Sequence, residues 1–284
     1  MIQNESIIIR KRKRPVWMII LEVVMLALCF VMLMPFMFAV MTSLKAPAEA
    51  ALLNFTPPTE LHFENYLTAI ERGNIGNAFV LSCIVTFSTV GLTVVISSLA
   101  AYVINRKVNT LTRFWYVFFV LGLIPPAFPI PTVKLMQVLG LEGNPLGLIF
   151  FYAAICIPFS VFLITGFLRG VPRELDEAAF IDGCSAWQVF WRVIFPTIKP
   201  VIFTNIIFVF MWVWNDFMWP LYILAGGANN STLPLSVFEF VSQYSTKWHL
   251  VYADLVMVSL PVIVLYMIAR KYIIEGMVAG AVKG

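Results

Sequence analysis

Residues 169–200 read RGVPRELDEAAFIDGCSAWQVFWRVIFPTIKP, a polar interlude between two long apolar runs. Pro172 suits the first turn of a helix. Glu174, Asp176 and Glu177 follow where the positive end of the helix dipole favours carboxylates. Gly183 is a natural stop. Ser185, with Gln188 three residues on, forms a capping-box pattern that opens a second helix. Trp187, Phe190, Trp191 and Ile194 then recur at helical spacing and make an apolar face for a membrane surface or a bundle. Pro196 is expected to end that helix. Ala178, Ala179 and Gly183 leave little bulk on the first helix, so a partner's groove could seat closely there, with Glu177 offering a charge to an arginine. An ordinary amphipathic loop helix has the same pattern, and the physics alone leaves both readings open.

The runs on either side place this stretch against a bilayer. Of the 284 residues, 61% are apolar and 12% charged, where a soluble domain carries about a quarter charged residues. A bilayer core of ~30 Å takes about 20 apolar residues per helix. Six stretches qualify: 17–41, 77–104, 114–133, 147–168, 200–225 and 249–270. The first follows Arg10–Arg14 and has no small-x-small cleavage pattern after it, so it reads as an uncleaved anchor. The chain therefore divides into a basic N-terminus (1–16), a membrane domain (17–270) that includes the 169–200 loop, and a tail (271–284).

Orientation follows from the cations. Arg10, Lys11, Arg12, Lys13, Arg14, Arg106, Lys107, Arg113, Arg169, Arg173, Arg192, Lys199, Arg270, Lys271 and Lys283 share one side, 15 of the 19 Lys and Arg residues. Lys45, Arg72, Lys134 and Lys247 occupy the other. The positive-inside rule puts both termini and the 169–200 loop in the cytoplasm. This sorting also explains the net charge of +4 without a nucleic-acid partner.

Within the spans, Pro125, Pro126, Pro129 and Pro131 predict a break in the third, with its outer part running on irregularly to about Gly140. Ser82, Thr86, Ser88, Thr89, Gly91, Thr93, Ser97 and Ser98 give the second span a close-packing surface, favouring a helix contact over a pore lining. Cys29, Cys83, Cys156 and Cys184 have no metal or redox spacing and read as small hydrophobes.

Glu177-Ala178-Ala179-x3-Gly183-x9-Val193-x-Phe195-Pro196 resembles the EAA loop of binding-protein-dependent ABC importer permeases. Val193 and Phe195 stand where that pattern has Ile and Leu. Pro172–Leu175, Ile181–Gly183, Trp214–Phe217 with Pro220-Leu221, and the tail Glu275–Gly284 are similar to the smaller permease subunit of carbohydrate importers of the maltose and glycerol-phosphate type. The resemblance runs from about residue 15 to the end. It implies an all-α, six-helix bundle of the type I importer kind, a second permease subunit, two ATPase subunits and an extracytoplasmic solute-binding protein. It also implies that Glu177, Ala178, Ala179, Gly183 and Pro196 belong to the loop that couples to the ATPase. The outer segment 226–248 would reach the binding protein, and the cargo would be a sugar or oligosaccharide.

Other residues carry narrower expectations. Asn205, Asn215 and Asp216 are polar groups in the fifth span, costly in lipid and so turned toward the bundle or water. Asn215 lies about 24 Å along that helix, toward its outer end. It and Asp216 could line the pathway, meet the partner permease, or serve as a cap or interhelical bond. Trp212, Trp214, Trp219 and Tyr222 fit an interfacial aromatic belt better than a sugar platform. In the outer segment 42–76, Leu61, Phe63, Tyr66, Leu67 and Ile70 call for burial. The glycines of the tail suggest an extended strand. His62 and His249 lack a metal-ligand cluster, and no metal site is expected. No phosphate-binding Gly-rich loop and no nucleophile elbow occur, so the chain is not expected to be an enzyme, and ATP with its magnesium would bind to the ATPase subunits. A permease for a non-sugar solute is the near alternative. An ion-coupled carrier would need paired broken helices and buried carboxylates at mid-membrane.

Overall fold

The computed structural model describes residues 16–124, 127–224, 230–241 and 246–281, with side chains from Trp17 to Met267. The basic run Arg10–Arg14, Pro125, Pro126, Asn229 and the last three residues fall outside this range. Helix α1 (Val16–Ser43) leads through α2 (Pro47–Ala50) and α3 (Glu64–Arg72) into α4 (Ile75–Arg106). Then come α5 (Thr110–Leu121), α6 (Pro129–Val138), α7 (Pro145–Leu168), α8 (Glu174–Ile181) and α9 (Ala186–Val189). A π turn, Phe190–Ile194, joins α9 to α10 (Phe195–Thr197), followed by α11 (Lys199–Asn215) and α12 (Met218–Ile223). A 3₁₀ segment, Leu233–Phe240, precedes α13 (Trp248–Ala281). The protein is an all-α membrane bundle, with no strand among the described residues.

Four stretches are long and apolar enough to cross a bilayer as single helices: Trp17–Ser43, Ile75–Arg106, Pro145–Leu168 and Trp248–Met267. The third and fifth expected spans are interrupted. The third divides into α5, which ends at Leu121, and α6, which begins at Pro129, and its outer part is helical rather than irregular. Pro129 and Pro131 begin α6, where a missing N–H costs nothing. The fifth stops at Asn215, turns extended at Asp216 (ψ 132°) and resumes as α12.

The core is built on α4 against α7, with α11 and α13 completing it. Ser82, Thr86, Thr89, Thr93 and Ser97, spaced by three or four residues, form one buried stripe on α4, and Ser98 is buried beside it. The expected close-packing surface is there, while Ser88 and Gly91 lie exposed. By contrast, α1 is apolar apart from Glu22 and its Thr42-Ser43 end, and is 6% buried in its apolar window. A helix of that composition takes lipid or another chain as its neighbour.

Polar anchors organise the outer side. Asn65 donates to the Ser43 and Lys45 carbonyls at 2.9 and 3.0 Å, and the Tyr66 hydroxyl lies 2.7 Å from Ser43 Oγ. These bonds turn Asn65 and Ala69 inward, leaving Leu61, Phe63, Leu67 and Ile70 exposed, contrary to the burial expected for them. His62 contacts Glu64, whose carboxylate raises the imidazole pKa. The Leu233 N–H donates to Ser82 Oγ at 2.8 Å, and Ser236 Oγ lies 3.0 and 3.1 Å from the two oxygens of the fully buried Asp254. These contacts fix the 3₁₀ segment on the bundle.

The start of the tail is helical as well. α13 continues to Ala281 rather than turning extended. Each glycine costs a helix about 1 kcal/mol relative to alanine, and with no proline after Pro261 that cost does not stop propagation.

Candidate functional site

Helix α8 starts at Glu174, two residues after Pro172, with Arg173 as its N-cap and Glu174, Asp176 and Glu177 in its first turn. It ends in a Schellman motif. Gly183 has φ +80°, its N–H bonds to the Phe180 carbonyl at 3.0 Å, and the Cys184 N–H bonds to the Ala179 carbonyl at 3.0 Å. The capping box forms as read: the Ser185 N–H donates to Gln188 Oε1 at 2.8 Å, and the Gln188 N–H donates to Ser185 Oγ at 3.4 Å. Pro196 cannot donate to Arg192, and the ladder ahead of it widens, with the Phe195 N–H reaching Phe190. The helix passes Pro196 and ends at Thr197, so the expected stop falls one residue late. The chain then bends by 77° into α11.

An ion pair at the cytoplasmic end of α4, by the orientation read from the cations, holds this loop. Arg106 Nη2 sits 2.8 Å from Asp176 Oδ2, and the Tyr102 hydroxyl donates to Asp176 Oδ1 at 3.0 Å. Arg106 also donates to the Val171 and Pro172 carbonyls, and Arg173 donates to the Asn105 carbonyl. Beneath the second helix Val189, Phe190, Ile194 and Ile198 are buried. Trp187 is 62% exposed, so it leaves the apolar face assigned to it and Val189 takes its place.

One face of α8 is thereby committed to the bundle and the other left open. Asp176 and Ala179, three residues apart, turn inward, and Ala179 is 6% exposed. Ala179 therefore does not belong to the seating surface expected of it; its small side chain lets α8 lie close on the bundle. Glu177, Ala178 and Gly183 are exposed, flanked by Phe180 and by Ile181 at 86% exposure. A carboxylate and a small residue between bare apolar side chains form a surface suited to a partner.

The three polar residues singled out in the fifth span separate into three situations. Asn205 is fully buried and accepts from Ser160 Oγ at 2.8 Å, an interhelical bond to α7. Asp216 accepts from the buried Tyr152 hydroxyl at 2.7 Å and from the Met218 N–H at 2.9 Å, so it is interhelical bond and helix cap together. Asn215 is exposed and donates to the Met211 carbonyl of its own helix at 2.7 Å. A cavity of about 450 Å³ lies at the two helix breaks, with Phe159, Phe208, Trp212 and Trp219 in its wall. Trp214 departs from the interfacial belt: it is 2% exposed and stacks on Phe210 at 5.3 Å.

Sequence reasoning missed the Tyr102–Arg106–Asp176 anchor and the buried Asp254. Asp254, an acid in the apolar run 248–267, carried a visible signal. Nothing local distinguishes Asp176 from Glu174 or Glu177; its pairing with Arg106 appears only in three dimensions.

The short helical loop is thus docked beneath the bundle of α4, α7, α11 and α13. Residues 66–278 match the family model for the binding-protein-dependent transport system inner membrane component, and the chain belongs to that family. It is 33% identical over 251 residues to the "Probable starch degradation products transport system permease protein AmyC" of Thermoanaerobacterium thermosulfurigenes, covering 88% of this chain and 91% of that one. It is 32% identical over 253 residues to the melibiose/raffinose/stachyose import permease protein MelC of Bacillus subtilis, covering 88% and 91%. In fold it is similar to the crystal structure of a bacterial ABC transporter involved in the import of the acidic polysaccharide alginate. That likeness has a TM-score of 0.80 at 20% identity, over 93% of this chain and 98% of that one. Family membership removes the ion-coupled carrier as an alternative.

Proposed function

We propose that this chain forms, with a second permease subunit, the translocation pathway of an ATP-driven importer for a sugar or oligosaccharide. The observation that carries the reading is the exposed face of α8, with Glu177 and Ala178 beside Phe180 and Ile181 on a helix anchored by Asp176. Two ATPase subunits supply hydrolysis and hold ATP and magnesium. One of them receives this face in a cleft, where Glu177 meets a cationic group and the turn at Gly183 brings the backbone close. Pro196 and the bend after Thr197 pass movement of the loop into α11. An extracytoplasmic binding protein delivers the cargo on the side of the 3₁₀ segment. The division of labour follows the sequence: residues 1–16 and 271–284 face the cytoplasm and 17–270 form the membrane domain, with six crossings counted when the two broken spans are included.

The sugar assignment rests on the relatives, which are named for starch degradation products and for melibiose, raffinose and stachyose. Asn215 remains the candidate for the pathway or the permease–permease contact, since it alone of Asn205, Asn215 and Asp216 is exposed. Asn205 and Asp216 act by holding α11 against α7.

The test is the ATPase activity of the reconstituted complex with its binding protein, titrated with maltodextrins, raffinose-type sugars, amino acids and oligopeptides. Stimulation by a sugar supports the reading. Stimulation by an amino acid or a peptide alone would reassign the cargo and leave the importer standing.

A further inference from the structure

Asp254 stands about 9 Å along α13 from its outer end and is fully buried. Among the described residues it forms no ion pair, and the hydroxyl of Ser236 in the 3₁₀ segment is its one side-chain partner. Ser236 is fully buried too. Its Oγ lies 2.6 Å from the Leu233 carbonyl, closer than the 3.0 and 3.1 Å that separate it from the two Asp254 oxygens. A hydroxyl has one hydrogen to give and otherwise accepts. The shortest contact takes that hydrogen, so Ser236 donates to the Leu233 carbonyl. Oxygen then faces oxygen across the Ser236–Asp254 contact, and the missing hydrogen has to come from the carboxyl. A protonated carboxyl has one O–H to donate. The burial favours the same form. An ionised carboxylate out of water needs a cation or several donors to replace its hydration, and beyond one hydroxyl the described residues offer none.

The bond decides where the 3₁₀ segment sits. The Leu233 N–H meets Ser82 of α4, Ser236 meets Asp254 of α13, and Phe240 packs so close to Gly73 that an added Cβ there would stand 2.8 Å from its ring. Asp254 holds the middle of these three anchors. With Leu233, Leu235, Ser236 and Phe240 turned inward, Phe238 and Glu239 are left exposed. We infer that Asp254 is a positioning residue held as a neutral carboxylic acid. Its hydrogen bond to Ser236 sets the 3₁₀ segment so that Phe238 and Glu239 face the protein that delivers the cargo. That last step rests on the importer reading; the acid and its bond do not.

The test compares Asp254→Asn, which keeps a donor and an acceptor in place, with Asp254→Val, which fills the site and removes both. In the purified complex reconstituted into vesicles, the infrared difference between wild type and Asp254→Asn at neutral pH should show the C=O stretch of a protonated carboxyl, shifting in heavy water. Carboxylate bands in its place would overturn the inference. A spin label at Glu239→Cys, in a background without the native cysteines, should be equally immobile on wild type and Asp254→Asn and gain mobility on Asp254→Val. The binding-protein concentration that half-stimulates the ATPase should stay near wild type in Asp254→Asn. It should rise about fivefold in Asp254→Val, the equivalent of one neutral hydrogen bond. If Asp254→Val is not recovered from membranes, Ser236→Ala removes the acceptor and should give the same gain in mobility. An Asp254→Asn variant as mobile as Asp254→Val would overturn the neutral donor. Mobility that rises with unchanged ATPase stimulation would overturn the role in delivery. A wild-type complex that its binding protein does not stimulate would instead count against the importer reading, with the infrared and mobility results still deciding the bond.

Discussion

Asp176 and Glu177 are neighbours in sequence and face opposite ways on α8, and that divergence separates two kinds of prediction. Glu177 is exposed, so Glu177→Lys leaves the fold intact and places a like charge where a cationic partner is proposed. Losing a desolvated charge pair costs roughly 2–5 kcal/mol, much of it from the stranded partner. Membrane abundance should match wild type while uptake is lost; wild-type uptake would remove the role given to Glu177. Gly183 has φ +80°, and an added Cβ there meets nothing within 4 Å. Gly183→Ala therefore pays only the left-handed backbone cost of about 1–2 kcal/mol. Gly183→Asp adds charge at the proposed interface, so uptake should fall far more in Gly183→Asp than in Gly183→Ala. Equal effects would mean that strain alone matters. Asp176→Asn strands Arg106 in a site that is 11% exposed on the arginine side and 9% on the aspartate side. Removing one partner of such a pair costs about 3 kcal/mol, and the thermal midpoint should drop, unlike that of Glu177→Lys. The Glu-Ala-Ala signature was readable as a string, yet which of its residues face a partner was not. Facing depends on Arg106 and Tyr102, some 70 positions earlier, and no local periodicity reports such a pairing.

Among the elements, continuous helices were legible and interruptions only partly so. The ends of α4 and α7 fall within a few residues of the expected spans because apolar length sets them. The proline cluster announced the break in the third span but not the helix beyond it, since prolines that disrupt a helix interior also suit a helix start. Asn215 and Asp216 are weak helix formers that favour caps, yet such a pair alone does not fix a stop. There Asp216 ends α11 by bonding Tyr152 of α7 and capping α12, a tertiary decision. The stripe on α4 makes a direct packing prediction. Thr89→Leu forces bulk into the buried stripe of α4 and should cost about 1–3 kcal/mol, lowering the thermal midpoint and the yield. Ser88→Leu, one position away on the exposed face, should change neither. If both behave alike, the stripe is not the tight seam described.

At the scale of the whole molecule, the sorting of cations predicts which faces meet the cytoplasm. In a background without Cys29, Cys83, Cys156 and Cys184, single cysteines at Asn109 and Phe180 should resist an impermeant thiol reagent added outside intact cells. Cysteines at Glu60 and Asn230 should react. Labelling at Phe180 from outside would reverse the orientation. The membrane class and the loop were legible early because both are written in short-range pattern, as apolar length and a compact motif. Sugar cargo was legible only through the family resemblance, because no described residue combines an exposed polar group with the aromatic cavity in a way that names a ligand.

The central claim is that the open face of α8 seats in an ATPase subunit, and proximity tests it most directly. Ala178→Cys and Ile181→Cys, carrying a short photo-crosslinker in the purified complex, should each yield an adduct identified by mass spectrometry as the ATPase chain. Ala179→Cys, on the inward face, and Glu60→Cys, on the outer side, should not. An adduct confined to Ala178 and Ile181 is the result predicted. Absence of the ATPase from both adducts, or its equal capture from Glu60, would contradict the account.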